Sequence, residues 1–392
     1  MNPNKKVVLA YSGGLDTSVA IKWLRNKGYN VIAYMADVGQ GGDFKTMRKR
    51  ALAAGASKVI IEDLKEEFVK DFIFPALKAN AVYESKYFLG TALSRPLIAK
   101  GLVSAARREK AGFVAHGCTG KGNDQIRFEV SCAILEPKIK TIAPVREWEF
   151  GSREDEIRYA QTNKIPIDVT KKTPYSIDKN LWGVSIECGV LENPWIEPPQ
   201  EAYQLTKHQT KKQKKERYIE IHFEAGIPIK LDGAYMEPVE LVNEVNNLGA
   251  EFCIGRSDMV ENRLVGIKSR EVYEAPAATI LVAAHKDLEA LTLDRETAHF
   301  KDVISLKYGE MIYYGLWYTP LKKALDKFVD ETQRTVTGII RMKLESGRCV
   351  TVGRKSTFSL YKEALATYTE KDKFDQRLAK GFIEIWGMPY KK

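Results

Sequence analysis

Five short β-branched runs, VVLAY (7–11), VIAYMA (31–36), KVIIEDL (58–64), GFVAHG (112–117) and TIAPV (141–145), alternate with helical patterns over the first 145 residues. Alternation of this kind requires crossover helices packed over a parallel sheet. The first run ends in Ser12-Gly13-Gly14 and passes straight into a helix, with Asp16, Thr17 and Ser18 at its start, Val19, Ala20, Trp23 and Leu24 on its apolar side and Gly28 as its stop. FKTMRKRALAAGA is another such helix, ending at Gly55. A strand-to-helix turn at the carboxyl edge of a parallel sheet presents several backbone N–H groups where ligands of open α/β folds sit, which makes it an anion site. Its glycines let the main chain approach the ligand, and the Ser12, Thr17 and Ser18 hydroxyls add short hydrogen bonds. A helix dipole alone contributes only about 0.3–1 kcal/mol. A polyanion here therefore calls for amides, hydroxyls and a magnesium ion acting together. A tight turn that needs glycine only for its geometry is the plainer reading, and the in-frame Asp16-Thr17-Ser18 weighs against it.

Ser152 has the position of an N-cap for REDEIRYAQTN, and the proline-marked stretch KIPIDVTKKTPYS (164–176) then places a domain boundary. Beyond it RYIEIHF alternates and is followed by AGIPIKLDG, PVELVNEVNNLG reads as a helix, and TGIIRMKL, a Ser-Gly turn and RCVTVG form a hairpin. These patterns predict an α+β second domain of antiparallel character. At the end of the chain FDQRLAKGFIEIWG puts Phe374, Leu378, Phe382 and Ile385 on one helical side, extended by Trp386. Such a face needs a cover, either the protein's own body or another subunit.

Composition narrows the function. With 392 residues, 44% hydrophobic and 29% charged, the chain can bury a large core and has the length of two domains, or of one plus an appendage. No run approaches about 18 apolar residues and the N-terminus has no small-residue cleavage site, so neither membrane insertion nor export is expected. Five scattered cysteines without a C-x-x-C pair suit reduced thiols in a cytoplasm, and five dispersed histidines without H-E-x-x-H give no structural metal site. The net charge of +10 fits either nucleic acid or small anionic substrates. Part of it is local: TKHQTKKQKKER (206–217) has no interleaved aromatic for base stacking and reads as a solvated helix or linker.

SGGLDTS resembles the pyrophosphate loop of ATP pyrophosphatases, which split ATP between the α and β phosphates. The longer blocks AYSGGLDTS, YMADVGQ, YFLGTALSRP, HGCTGKGNDQIRFE, NLWGVSIECGVLENPW, GRSDMVENRLVGIKSREVYEAPA and AKGFIEIWG, in that order from end to end, resemble the argininosuccinate synthase family. The resemblance implies an α/β fold: a Rossmann-like, adenine-nucleotide-α-hydrolase-like domain over 1–165, an α+β synthetase domain over 166–358 and a C-terminal oligomerisation arm over 359–392. It implies a cytoplasmic homotetramer that takes citrulline, aspartate and ATP with Mg2+, and has neither nucleic acid nor membrane as partner. ATP is then expected against Ala10, Tyr11, Ser12, Gly13, Gly14, Leu15, Asp16, Thr17, Ser18, Ala36 and Gly117. Tyr87, Asn123, Arg127, Ser176, Ser185, Glu261 and Tyr273 are implied for citrulline, and Thr119, Asn123 and Asp124 for aspartate.

Within that frame Asp124 accepts from the substrate ammonium while Thr119 and Asn123 donate to a carboxylate, so Asp124→Ala is expected to spare adenylate formation and weaken aspartate use. No residue is singled out as a general base. Where the family commonly reads LGTS this chain reads LGTA, so Ala92 lacks a side-chain hydrogen bond that Thr91 or Ser94 would have to replace. The competing readings are a tRNA-thiolating or amidating ATP pyrophosphatase, and a basic nucleic-acid-binding protein with a degenerate nucleotide loop. Thiolation calls for a reactive cysteine pair and amidation for a cysteine-nucleophile domain, and Cys118 is the only cysteine inside a motif.

Overall fold

The computed structural model describes residues 5–166, 174–206 and 216–391. Lys6–Ala10 (β1) buries Val7, Val8 and Leu9 completely, as a central parallel strand covered on both faces must. With Asn30–Asp37 (β2), Lys58–Asp63 (β3), Phe113–Ala115 (β4) and Lys140–Ile142 (β5) it forms an all-parallel sheet of order β3-β2-β1-β4-β5. All five expected strands are present. The last is shorter than TIAPV because Pro144 opens a short helix, Pro144–Glu147. Strand order reverses at β1, between β2 and β4, and in open α/β sheets the ligand crevice lies at that switch point.

The helices that cross this sheet obey their sequence signals. Leu15–Asn26 (α1) starts at Gly14, and Gly28, at φ +86°, turns the chain away. Phe44–Ala54 (α2) is capped by Asp43, whose side chain accepts from the N–H groups of Lys45 and Thr46, and ends at Gly55 in the left-handed conformation. Gly90–Arg108 (α3) and Asp124–Leu135 (α4) pack on one another beside the sheet. Arg153–Thr162 (α5) begins at Ser152, whose hydroxyl accepts from Asp155 N–H at 3.2 Å. That is the N-cap read from the sequence.

The remainder carries two antiparallel sheets. Ser176–Asn180 (β6), Gly183–Glu187 (β7), Arg256–Asn262 (β11) and Lys268–Glu274 (β12) are ordered β11-β12-β7-β6. Glu216–Glu224 (β8), Ile227–Leu231 (β9), Ala234–Tyr235 (β10), Gly338–Glu345 (β13) and Arg348–Lys355 (β14) are ordered β10-β9-β8-β13-β14. The expected hairpin is β13–β14, with Glu345 paired to Arg348, and PVELVNEVNNLG lies within the helix Pro238–Glu251 (α6). Helices Pro276–Thr292 (α7), Arg295–Tyr313 (α8) and Pro320–Thr332 (α9) complete this part.

Its core also takes in a segment from the first third of the chain: Phe68, Phe72, Leu77, Tyr87, Leu93 and Leu97 join the cluster of Leu241, Ile280, Tyr308 and Tyr313. The carboxyl end of the sequence departs from its expected shape. The last helix spans Leu378–Gly387 (α10) and does not start at Phe374, because Asp372 Oδ1 accepts from Phe374 N–H and Asp375 Oδ1 from Arg377 N–H. Such local side-chain bonds compete with helix formation. Residues 207–215 of the basic run and 167–173 of the boundary segment lie outside the described residues. None of the described helices is long and apolar enough to cross a membrane.

Candidate active site

A cleft of about 490 Å3 opens at the switch point and continues onto the β11-β12-β7-β6 sheet. At the end beside the β1–α1 turn Ala10, Tyr11, Ser12 and Thr17 line the wall. Gly14 caps α1 without a side-chain hydrogen bond, so the amides of the first turn have no intrahelical acceptor. Ser12 Oγ stands 3.1 Å from Thr17 Oγ1 and accepts from Gly14 N–H at 3.4 Å. Arg50 of α2 donates to the Gly13 carbonyl at 2.8 Å and holds the turn from behind.

The other loop residues do not line the cleft. Gly13, at φ +81°, has Met47 where a Cβ would stand, 2.9 Å away. Ser18 is fully buried and donates to the Gly14 carbonyl at 2.7 Å, with Tyr11 Oη at 3.1 Å. Asp16 interacts with Glu156 of α5. Across from Thr17, a Cβ on Gly117 would meet the threonine methyl at 2.8 Å, so the two chains approach as closely as glycine allows. Ala36, Tyr34, Ile98 and Phe128 form the apolar side, and Gln40 donates to the Ala36 carbonyl at 2.7 Å. His116 accepts from Cys118 N–H through Nδ1, which leaves Nε2 to donate to Glu129 at 3.2 Å.

The other end, on the β11-β12-β7-β6 sheet, is built by strand alternation. Asp178 faces Ser185 and Ser185 faces Tyr273 in register, Ser257 pairs with Tyr273, and Met259 pairs with Glu271. Period-2 alternation then places Ser176, Asp178, Ser185, Glu187, Glu261, Glu271 and Tyr273 on one face, and all of them line the cleft. Glu261 is buried, with one oxygen accepting from Tyr273 Oη and the other from Tyr313 Oη, both at 2.6 Å. Tyr87 stacks on Tyr273 at 4.1 Å between ring centroids. Ala92 is buried outside the cleft and its N–H donates to Tyr87 Oη at 3.2 Å. Of its two neighbours, Thr91 lines the cleft, 2.9 Å from Ser185 Oγ, while Ser94 turns back to the Thr91 carbonyl.

Thr119, Asn123, Asp124 and Arg127 join the two ends. Leu264 N–H donates to Asn123 Oδ1 at 3.0 Å, which leaves the Asn123 amide nitrogen as the group free to donate. Asp124 accepts from Arg127 at 2.7 Å through one oxygen and from Arg95 at 2.8 Å through the other. Burial works to raise the Asp124 carboxyl, but the two guanidiniums hold it below the ordinary carboxylate range. Arg263 donates to Glu187 and Glu271, each at 2.5 Å. Burial, then Glu187 and Glu261, pushes the Glu271 carboxyl up to about 9.

Every residue that sequence reasoning assigned to citrulline or aspartate lines this one cleft. Arg95, Asp178, Glu187, Arg263 and Glu271 were not singled out. Strand parity carries a signal for three of them, since Asp178, Glu187 and Glu271 are each two residues from Ser176, Ser185 and Tyr273. Arg95 is one helical turn from Thr91.

A parallel sheet with a glycine turn at the head of α1, whose crevice runs into a pocket lined by carboxylates and tyrosines, has the architecture of a nucleotide-dependent synthetase of the PP-loop class. The family model described as the argininosuccinate synthase N-terminal HUP domain matches residues 6–166, and the one described as the argininosuccinate synthase C-terminal domain matches residues 175–392. Argininosuccinate synthase of Carboxydothermus hydrogenoformans is 56% identical over 388 residues, which cover 99% of this chain and 97% of that one. Argininosuccinate synthase of Bacillus subtilis is 56% identical over 391 residues, covering 100% and 97%. The chain belongs to the argininosuccinate synthase family, ligases that form C–N bonds.

Proposed function

We propose that this protein joins citrulline and aspartate at the expense of ATP, releasing AMP and pyrophosphate, in two steps within the one cleft. The citrulline ureido oxygen attacks the α phosphorus; the new O–P bond forms as the bond to the β-phosphate oxygen breaks and its electron pair leaves with pyrophosphate. The aspartate amine then attacks the ureido carbon, AMP departs, and the amine gives up its proton. A ureido oxygen is a poor leaving group, so the protein's contribution is alignment and charge stabilisation.

In this reading the first amides of α1 with Ser12 and Thr17 hold the departing pyrophosphate, and Ala36 and Gly117 lie against the nucleoside. Glu261 takes the citrulline ammonium with its orientation fixed by Tyr273 and Tyr313, and Arg127 takes a carboxylate. Thr119 and the Asn123 amide donate to an aspartate carboxylate beside Asp124. Magnesium accompanies the nucleotide; Ser12 and Thr17, which line the cleft, would offer it hard oxygens, and the ion would supply charge neutralisation at the phosphates. Among the described residues there is no cluster of three or more metal-ligating side chains.

The observation that carries the reading is the continuity of the cleft, with Ser12 and Thr17 at one end and Glu261 and Tyr273 at the other. Its test is pyrophosphate release with ATP, citrulline and aspartate, each omitted in turn. A rate that survives omission of citrulline refutes it. A thiolating or amidating role is not favoured: burial, then Asp124, pushes the Cys118 thiol up to about 12, far from a nucleophilic thiolate.

A cytoplasmic homotetramer with residues 359–392 as its oligomerisation arm completes the proposal, and two observations support it. Cys118, Cys132, Cys188 and Cys349 carry free thiols, which suits a reducing compartment. The last helix presents Leu378, Phe382, Ile385 and Trp386 at 62–71% exposure, an apolar face that this chain does not cover.

A further inference from the structure

The α phosphorus is where the two ends of the cleft must meet, and a phosphoryl centre under attack carries its charge on the non-bridging oxygens. The amides and hydroxyls of the α1 turn lie at the pyrophosphate end. Among the described residues the Lys and Arg side chains that line the cleft are Arg95, Arg127, Lys179 and Arg263. Arg127 is committed to the amino-acid end: Nε donates to the Tyr313 carbonyl at 3.0 Å, Nη1 to Asp124 at 2.7 Å, and the guanidinium lies over the Tyr313 ring. Arg263 is spent on Glu187, Glu271 and, at 3.4 Å, the Lys121 carbonyl. Lys179 sits on an exposed position of β6, where alternation turns it from the face that carries Asp178.

Arg95 is placed differently. It lies on α3 one turn after Thr91, its side chain only 16% exposed, and spans the seam between the two ends. Nε donates to Asp124 Oδ2 at the start of α4, Nη2 lies 2.8 Å from that same oxygen and also donates to Asp178 on β6, and the guanidinium stands 6.0 Å from the Phe128 ring on the nucleotide side. One guanidinium thus faces two carboxylates. Asp124 is held a second time by Arg127, whereas no other ion pair of Asp178 is found among the described residues, and its side chain is 32% exposed. Asp178 is therefore the partner that an incoming anion displaces more readily. The exchange leaves Asp124 to fix the Nε edge while Nη2 turns to the new oxygen, a geometry that suits a guanidinium and not an ammonium.

We propose that Arg95 is a catalytic residue of the adenylation step: it releases Asp178 when ATP and citrulline bind and hydrogen-bonds the α-phosphate oxygens as the O–P bond forms and pyrophosphate leaves. No proton moves in this step. The inference rests on the ligand assignment proposed above.

The test is citrulline-dependent ATP/pyrophosphate exchange in the full-length enzyme, with the aspartate-dependent overall reaction measured in parallel. Arg95→Ala is expected to lower the maximal exchange rate by about 10²–10³-fold, the size of a lost charge-stabilising donor, with the citrulline KM changed by less than about threefold. Added guanidinium ion is expected to restore part of that rate, which a merely structural role would not allow. Arg95→Lys keeps a charge and a long stem, so it tests the idea even if Arg95→Ala does not fold; it is expected to stay at least about tenfold slow, because the paired donors are gone. Asp178→Asn is expected to lower the ATP KM several-fold by easing the exchange of partners, and an unchanged or raised KM would overturn that exchange. Wild-type exchange that needs citrulline, together with Arg95 variants within about threefold of it, would overturn the role of Arg95 alone. Loss of exchange in Lys179→Ala instead would assign the charge to Lys179 and overturn it as well. Wild-type exchange that does not need citrulline would overturn the ligand assignment and this inference with it.

Discussion

At the scale of single residues the site has little slack. A methyl group on Gly117 would enter the space of the Thr17 side chain, whose hydroxyl stands against Ser12. Overpacking of this kind costs about 1–3 kcal/mol of stability, so Gly117→Ala is expected to lower the melting temperature and, by displacing Thr17, to raise the ATP KM. Steady-state kinetics with ATP varied checks this, and an unchanged KM would refute the contact. Glu261 accepts from two tyrosines and is buried, so it is already oriented when its ligand arrives. Charged hydrogen bonds are worth about 1.5–3 kcal/mol, and Glu261→Gln is therefore expected to raise the citrulline KM about 10- to 100-fold without unfolding the protein. Asp124 changes meaning once its neighbours are known. A carboxylate that also orients Arg95 and Arg127 cannot act on aspartate alone. Asp124→Ala is now expected to depress citrulline-dependent exchange as well as aspartate use, contrary to the selective loss that its sequence motif suggests; exchange kinetics separate the two.

At the scale of elements, helices α1 and α5 meet through a carboxyl pair. Glu156 is partly buried, its Oε2 has no hydrogen-bond partner, and burial, then Asp16, pushes its carboxyl up to about 8 from an ordinary 4.5. The folded protein thus keeps a proton that the unfolded chain gives up above about pH 4.5. Stability from this site is fully present below that pH and is lost as pH rises through about 8. Glu156→Gln removes the titration, so relative to wild type it is expected to stabilise at pH 8 and not at pH 4. A shift of one unit corresponds to about 1.4 kcal/mol, and solvent screening of a half-buried group reduces the whole effect to about 1–2 kcal/mol. Urea melts at the two pH values measure it, and an equal effect at both would count against the pair. These two helices were legible from the start: caps, stops and apolar stripes are local signals, and Gly28 and Ser152 act as the sequence indicates. The start of the last helix was not, because Asp372 and Asp375 bond to the backbone ahead of it.

At the scale of the whole molecule, the parallel sheet and the second, antiparallel part do not own separate stretches of chain. Phe68 to Leu97 precedes β4 in sequence yet packs with α6, α7 and α8. Tyr87, Thr91 and Arg95 are thereby carried to the seam between the two parts. The exposed face of α10 belongs to the same scale: the described residues leave this apolar helix side open, and the assembly proposed above gives it to another copy. Truncation before Lys373 is expected to lower the solution mass measured by light scattering, and an unchanged mass would rule out a role for the arm in assembly.

The sequence alone determined the alternating parallel strands and helices, the glycine turn after β1 and the antiparallel character of the later part, because hydrophobic period, glycine and capping signals act over a few neighbours; about half of the residues that face the cleft were named, and those mostly through the family resemblance rather than through such local signals. It did not determine which strands pair or in what register. Only the tertiary structure decided that β7 and β12 run side by side, so that residues 185 and 187 meet 271 and 273, and that Arg95, Asp124 and Asp178 share one charge cluster. Those contacts join positions 29 to more than 80 residues apart. They are selected by burial of the core as a whole, which no local pattern records.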